Sequence, residues 1–419
     1  MRTWLLFPIL LAACGAASAQ TRPLAIVEAR VVPAPDAEAI ARGVVLVRDG
    51  RIEAVGASAE IALPVDAEVI DARGGTVVAG YWNSHVHLLA PPFDRVRAQP
   101  AAALSRALAA QYLRWGFTTI FDLASAPGNG VALRERIDAG DVVGPAVLTA
   151  DAPFFPKDGT PAYVSDPEGA AWSLRQAEVA TPAEASRRAV GQLRDGADGL
   201  KIFAGAIVGG DVGVKAMDAA IAKAVVDAAH AAGKPVFAHP SNLEGLQVAL
   251  DAGVDVLAHV APMAGAWPDD LLRRMLAADV ALVPSLKLFE IELRKEGAPA
   301  EASASVMATA RRQLAAFSAA GGEVLFGTDS GYVDWYDTRD ELRLMHEAGL
   351  DWRRILASLT TAPAARFGQA GRKGRIAAGM DADIVVLGGD PSGDVAALAD
   401  VRHVVRAGRL VHRAEASGD

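Results

Sequence analysis

Apolar and polar positions fall into two textures along this chain. From residue 24 onward, short β-prone runs succeed one another at Leu24–Ala29, Gly43–Val47, Arg51–Val55 and Val69–Asp71. Asp49-Gly50 lies between two of them, a strong hairpin signal between strand-like runs. The same texture returns at Asp383–Leu387 and Val401–Ala407, with turn residues at Gly388-Gly389-Asp390-Pro391 and Ala407-Gly408. These patterns predict one small β-sandwich domain assembled from both ends of the chain, residues 20–79 plus 374–419.

Between the two ends, apolar strand-like runs alternate with amphipathic helical stretches. The predicted strands are Thr76–Trp82, Thr118–Leu123, Ala146–Ala150, Gly199–Phe203, Val236–Ala238, Asp255–Ala258, Ala281–Pro284 and Val324–Gly327. Met217–Ala232 illustrates the helices, with Ile221, Val225 and Ala228 on one face and Gly233 just past the end. Buried strands separated by helices predict an α/β fold, a closed parallel (β/α)8 TIM barrel over residues 80–373.

Composition adds limits. At 419 residues, 52% hydrophobic and 22% charged, the chain reads as an ordinary globular protein able to bury a large core. A net charge of −9 gives no support to nucleic-acid binding, which needs a basic face. No internal run reaches the length of a membrane span. The N-terminus differs: Arg2, an apolar run from Trp4 to Ala13 and then small residues read as an export signal over residues 1–19. Ala17-Ser18-Ala19 before Gln20 fits ordinary cleavage and a periplasmic protein, whereas Leu11-Ala12-Ala13-Cys14 resembles a lipobox that would tether the protein to a membrane through Cys14. Cys14 is the only cysteine, so the body of the chain has no disulfide, thiolate site or cysteine nucleophile. A homo-oligomer is left open.

The histidines carry the chemistry. His85 and His87 are spaced i, i+2, and on an extended strand residues two apart point to the same side. Their imidazoles can therefore converge on one point. His239 and His259 end the fifth and sixth predicted strands, Lys201 falls late in the fourth, and Asp329 follows the eighth. Barrels of this kind place their chemistry at the carboxyl ends of strands. The set of nitrogen and oxygen donors suits zinc, and also manganese or cobalt. His230, His346, His403 and His412 fall in helical or peripheral segments and read as solvated or capping residues.

The motifs Asn83-Ser84-His85-Val86-His87, Gly116-Phe117-Thr118-Thr119, Gly196-Ala197-Asp198-Gly199-Leu200-Lys201, Ala238-His239, Ala252-Gly253-Val254-Asp255 leading to His259, and Gly327-Thr328-Asp329-Ser330 resemble the amidohydrolase superfamily. The likeness is to its imidazolonepropionase-like and prolidase-like metal-dependent hydrolases. It extends to the flanks, through Asp49-Gly50-Arg51-Ile52 and Ala378-Gly379-Met380-Asp381-Ala382-Asp383. The resemblance implies two divalent metal ions, zinc first. One would be held by His85, His87 and Asp329 and the other by His239 and His259, with a carboxylated Lys201 bridging. It also implies that Asp329 serves as the catalytic proton carrier for a water activated between the ions. The expected activity is hydrolysis of an amide, peptide or cyclic-amide C–N bond in a small-molecule substrate.

Mononuclear deaminases of the superfamily carry Glu three residues after the fifth-strand histidine, where this chain has Asn242, so ring deamination is disfavoured. Three other readings stay open: a mononuclear deaminase or imidazolone-type hydrolase, a lactone hydrolase, and an exported binding protein on the same scaffold. Phe154, Phe155, Tyr163, Trp172, Tyr332, Trp335 and Tyr336 are candidates for an apolar pocket, Gly205–Gly210 for a mobile lid, and Lys157 or Lys287 for contact with a substrate carboxylate.

Overall fold

The computed structural model describes residues 22–164 and 170–414. The expected export signal and Cys14 lie outside the described residues. Among those described, no helix is long and apolar enough to cross a membrane.

Both ends of the chain meet in one mixed eight-stranded sheet. Its order runs Arg409–Arg413, Val401–Arg406, Ile384–Leu387, Thr76–Ala79, Leu24–Val31, Ile40–Arg48 and Arg51–Ala57, with Glu68–Asp71 paired to Leu24–Val31. Asp49-Gly50 turns the Ile40–Arg48 strand into its antiparallel neighbour, with both residues at positive φ. Ile26, Val45, Val77 and Ile384 build a separate core for this sheet.

Parallel strands form the second part. Tyr81–Leu88, Phe117–Ser125 and Ala146–Thr149 make one three-stranded sheet, and Leu200–Phe203, Val236–His239, Val256–Ala258 and Ala281–Val283 make a four-stranded one. Helices follow most of these strands. Ala219–Ala231 is capped by the Asp218 side chain, buries Ile221 and Val225, and is followed by Gly233 at φ 65°.

Two expected strands come out differently. Thr76–Trp82 is two elements: Thr76–Ala79 pairs with Ile384–Leu387, and Tyr81–Leu88 pairs with Phe117–Ser125. Gly80 marks the break, because a Cβ there would meet Thr118 Oγ1 at 2.2 Å. His85 and His87 therefore lie within a strand rather than beyond one. Val324–Gly327 is extended but joins neither sheet as a strand. Leu325 N–H donates to Leu282 O and Ser84 N–H to Phe326 O, yet Phe326 N–H is taken by Ser358 O, outside any ladder.

Candidate metal centre

The Tyr81–Leu88 strand is buried along its whole length. Side-chain alternation sends Asn83, His85 and His87 to one side. The two imidazoles meet there, with Nε2 atoms 3.2 Å apart. Asp329 reaches the same point: its Oδ1 lies 2.6 Å from His87 Nε2 and 3.1 Å from His85 Nε2. Neither approach is aligned as a hydrogen bond, and Oδ1 has no hydrogen-bond partner. His259 Nε2 stands 3.8 Å from Asp329 Oδ2. Ring contacts extend the cluster, with His85 and His259 centroids 4.6 Å apart and His259 and His239 5.0 Å apart. The His239 ring stacks on Phe203 at 4.8 Å.

The backbone is bent to achieve this. His259 has φ 101° and Asp329 φ 60°, conformations uncommon in residues other than glycine and concentrated at functional sites. Asp329 N–H donates to His85 O at 2.9 Å. Asn83 fastens the preceding residue, its Nδ2 donating to Thr328 Oγ1 at 2.8 Å and its Oδ1 accepting from Thr328 N–H at 3.2 Å.

Lys201 is 1% exposed and forms no ion pair among the described residues. Burial lowers its pKa to about 7, against a smaller opposing pull from Asp329. Burial, and then Lys201, also lower His85 and His239 to about 3. His259 is pushed well below its usual range, first by burial and then by His85. These imidazoles are neutral near pH 7, the form that coordinates metals. Burial works to raise Asp329, but His85 and His87 outweigh it and hold the carboxyl well below the usual range.

The donor set fits a divalent cation. His85, His259 and Asp329 each offer one ligand atom, all within 4.8 Å of one another. At the point where the Nε2 atoms converge, Asp329 Oδ1 lacks a hydrogen-bond partner, and unsatisfied buried polar atoms are rare unless an ion or water belongs with them.

All six sequence-predicted site residues line one cavity of about 400 Å³. Phe155, Tyr163 and Tyr332 line it too, whereas Trp172 lies against Arg175, Trp335 against Lys287 and Tyr336 against Tyr112. Gly205–Gly209 is a strand paired with Gly213–Ala216, a hairpin rather than a glycine lid. Lys287 is buried between Glu290 and Asp340 and offers nothing to a substrate, and Lys157 is outside the lining. Asn242 caps the Leu243–Ala252 helix by accepting from Gly245 N–H at 2.9 Å.

Two supporting residues carried only a faint sequence signal, a polar side chain inside an apolar strand. One is Asn83. The other is Asp122, wholly buried, which accepts from Leu88 N–H at 3.0 Å and Thr149 Oγ1 at 2.7 Å. It fixes the end of the histidine strand.

A buried His/His/Asp cluster beside parallel strands defines the class as a metal-binding α/β protein, and the family match adds the reaction. The chain belongs to the Amidohydrolase family, whose model matches residues 76–411, and it is a hydrolase acting on C–N bonds. Among solved structures it is similar to a prolidase candidate from Bifidobacterium longum, at 28% identity and TM-score 0.76 over 94% of this chain and 95% of that one. It is also similar to a prolidase complexed with N-methylphosphonate-L-proline, at 25% identity and TM-score 0.77 over 94% of this chain and 100% of that one. A Xaa-Pro dipeptidase with bound methionine shares the fold at 22% identity and TM-score 0.79, over 94% and 100% of the two chains. No curated protein sequence matches the chain.

Proposed function

We infer that the chain hydrolyses an amide, peptide or cyclic-amide bond with the aid of two divalent ions, zinc being the first candidate for an all-nitrogen-and-oxygen donor set. His85, His87 and Asp329 would hold one ion and His239 and His259 the other. The observation that carries this reading is the convergence of His85 Nε2, His87 Nε2 and Asp329 Oδ1 on one point, the carboxylate oxygen having no hydrogen-bond partner, in a cavity that also holds His239, His259 and Lys201.

When bound, the metal pair would polarise the amide carbonyl and lower the pKa of water. Lys201, whose burial favours the neutral amine, would add carbon dioxide on Nζ and release a proton, giving a carbamate that would serve as a further anionic ligand for the ions. Asp329 begins as a carboxylate. It would take the proton lost by the attacking water and pass it to the leaving nitrogen.

Metal content tests the reading. About two ions per chain are expected, with Lys201→Ala losing one and most turnover, and with bicarbonate aiding reconstitution of the wild type. One tightly held ion, indifferent to that substitution, would establish a single-metal site instead.

The two parallel sheets and the Val324–Gly327 segment are also assigned to a single closed (β/α)8 barrel. Support comes from the hydrogen bonds joining Phe154 to Lys201 and Ser84 to Phe326, and from a core that unites Phe121, Phe237, Val283 and Leu325. The apolar leader supports export to the periplasm, with the mass of the mature N-terminus deciding between release after Ala19 and a lipid on Cys14.

A further inference from the structure

The cavity has a marked asymmetry of charge. Its histidines, Lys201 and Asp329 gather at the metal centre, and its walls are apolar, with Phe155, Leu288, Phe289 and Val306 among them. Away from the metal centre, the charged side chains that reach it are Glu292 and Glu296. Among the described residues, Lys201 is the one lysine in the lining and no arginine reaches it. Residues 165–169, Ser-Asp-Pro-Glu-Gly, contain neither type.

Nearby cations are already committed. Lys295 Nζ lies 2.8 Å from Glu292 Oε1 and over the Tyr332 ring at 5.3 Å. Tyr332 donates its hydroxyl to Glu292 Oε2 at 3.3 Å, so this polar group too is directed at a carboxylate. Lys287 is held away from the cavity by Glu290 at 2.9 Å and Asp340 at 2.7 Å. Glu296 has no ion-pair partner among the described residues.

An anionic group entering such a wall would lose its hydration without gaining a cation, and it would face like charge. The neighbouring prolidase complex holds a ligand built on L-proline. An amino acid of that kind carries a free carboxylate, and among the described residues no cation lines this cavity away from the metal centre.

We propose that the cavity selects apolar amides whose end remote from the scissile bond is uncharged, and that it discriminates against substrates bearing a free carboxylate there. This rests on the metal-dependent amidohydrolase reading and narrows it to a substrate class. Specificity is negative as much as positive: apolar walls retain an aryl or alkyl group, and Glu296, the carboxylate without an ion-pair partner among the described residues, repels its anionic analogue.

The test is calorimetric binding to zinc-loaded protein, which needs no turnover. Acetohydroxamate reports on the metal centre alone. Suberic acid monohydroxamate, and the same molecule with its carboxylate converted to carboxamide, report on the remote end. The carboxamide is expected to bind at least about ten-fold tighter, equivalent to ~1.4 kcal/mol. Glu296→Arg is expected to raise affinity for the carboxylate ligand about ten-fold by the same measure. Equal or tighter binding of the carboxylate form by the wild type, with acetohydroxamate bound, would overturn the selectivity and leave the metal centre standing. Failure of acetohydroxamate to bind would overturn both.

Discussion

His87 Nε2 stands 2.6 Å from Asp329 Oδ1, in contact but not aligned as a hydrogen bond. The same oxygen is approached by His85, so it faces two imidazole nitrogens at a point suited to a cation. Asp329→Asn keeps an oxygen donor of the same shape but removes the negative charge and the capacity to carry a proton. The variant is expected to retain much of its metal and lose about two to four orders of magnitude in kcat. Metal analysis beside steady-state kinetics checks this. Turnover near that of the wild type would remove Asp329 from proton transfer.

Asn83 joins the histidine strand to the aspartate segment. It bonds to Thr328 through both ends of its amide, and its Oδ1 also accepts from His85 N–H at 3.3 Å. Asn83→Ala leaves buried donors without partners and is expected to cost about 2–3 kcal/mol of stability, read from urea unfolding. Because Asp329 hangs from the same segment, kcat should fall further than the folded fraction accounts for. Loss of activity that only tracked unfolding would reduce Asn83 to a structural role.

Gly331 follows the aspartate at φ 93°, and a Cβ there would lie 1.8 Å from His87 O. Gly349 has the same φ with nothing within 4 Å of a Cβ. The pair separates backbone strain from collision. Gly349→Ala should cost about 1 kcal/mol, the penalty for a left-handed alanine. Gly331→Ala should cost several-fold more and release metal, because the His87 strand and the Asp329 segment must part. Thermal unfolding and metal retention of the two variants provide the comparison, and equal losses would deny the close approach.

Much of the site was legible because metal binding leaves a residue-level trace. The i, i+2 spacing of His85 and His87 requires a strand, and histidines or a lysine ending apolar runs are otherwise hard to place. The limits of the strands were less legible. Val77-Val78-Ala79 and Tyr81-Trp82 are equally apolar, and the partner that splits them lies about 300 residues away in Ile384–Leu387. Val324–Gly327 has the side-chain pattern of a strand, but Phe326 N–H bonds to Ser358 O on a later helix rather than to a neighbouring strand. The glycines of 205–210 suggested mobility, whereas they build a hairpin whose packing against Pro240 leaves no room for a Cβ at Gly205.

Glu341 lies outside the metal centre but sets the position of a cavity wall. Its carboxylate accepts from Leu286 N–H at 2.9 Å and Lys287 N–H at 2.7 Å, pinning the start of the Leu286–Lys295 helix that carries Leu288 and Phe289. Burial raises its pKa from 4.5 to about 7, against those backbone donors and Lys287. Below about pH 4.5 both folded and unfolded chains hold the proton, and the stabilisation linked to the raised pKa is complete. Between 4.5 and 7 the folded chain keeps a proton that the unfolded chain has released, so this contribution declines as pH rises and is lost above about 7. A glutamine cannot titrate. The stability of the wild type relative to Glu341→Gln should therefore fall from pH 5 to pH 8 by on the order of 2–3 kcal/mol. Urea unfolding of both proteins across that range measures the difference directly, with changes common to the rest of the chain cancelling. A difference that stayed constant or grew with pH would mean that Glu341 is already charged in the folded protein at pH 5, held so by Lys287 and the two backbone donors.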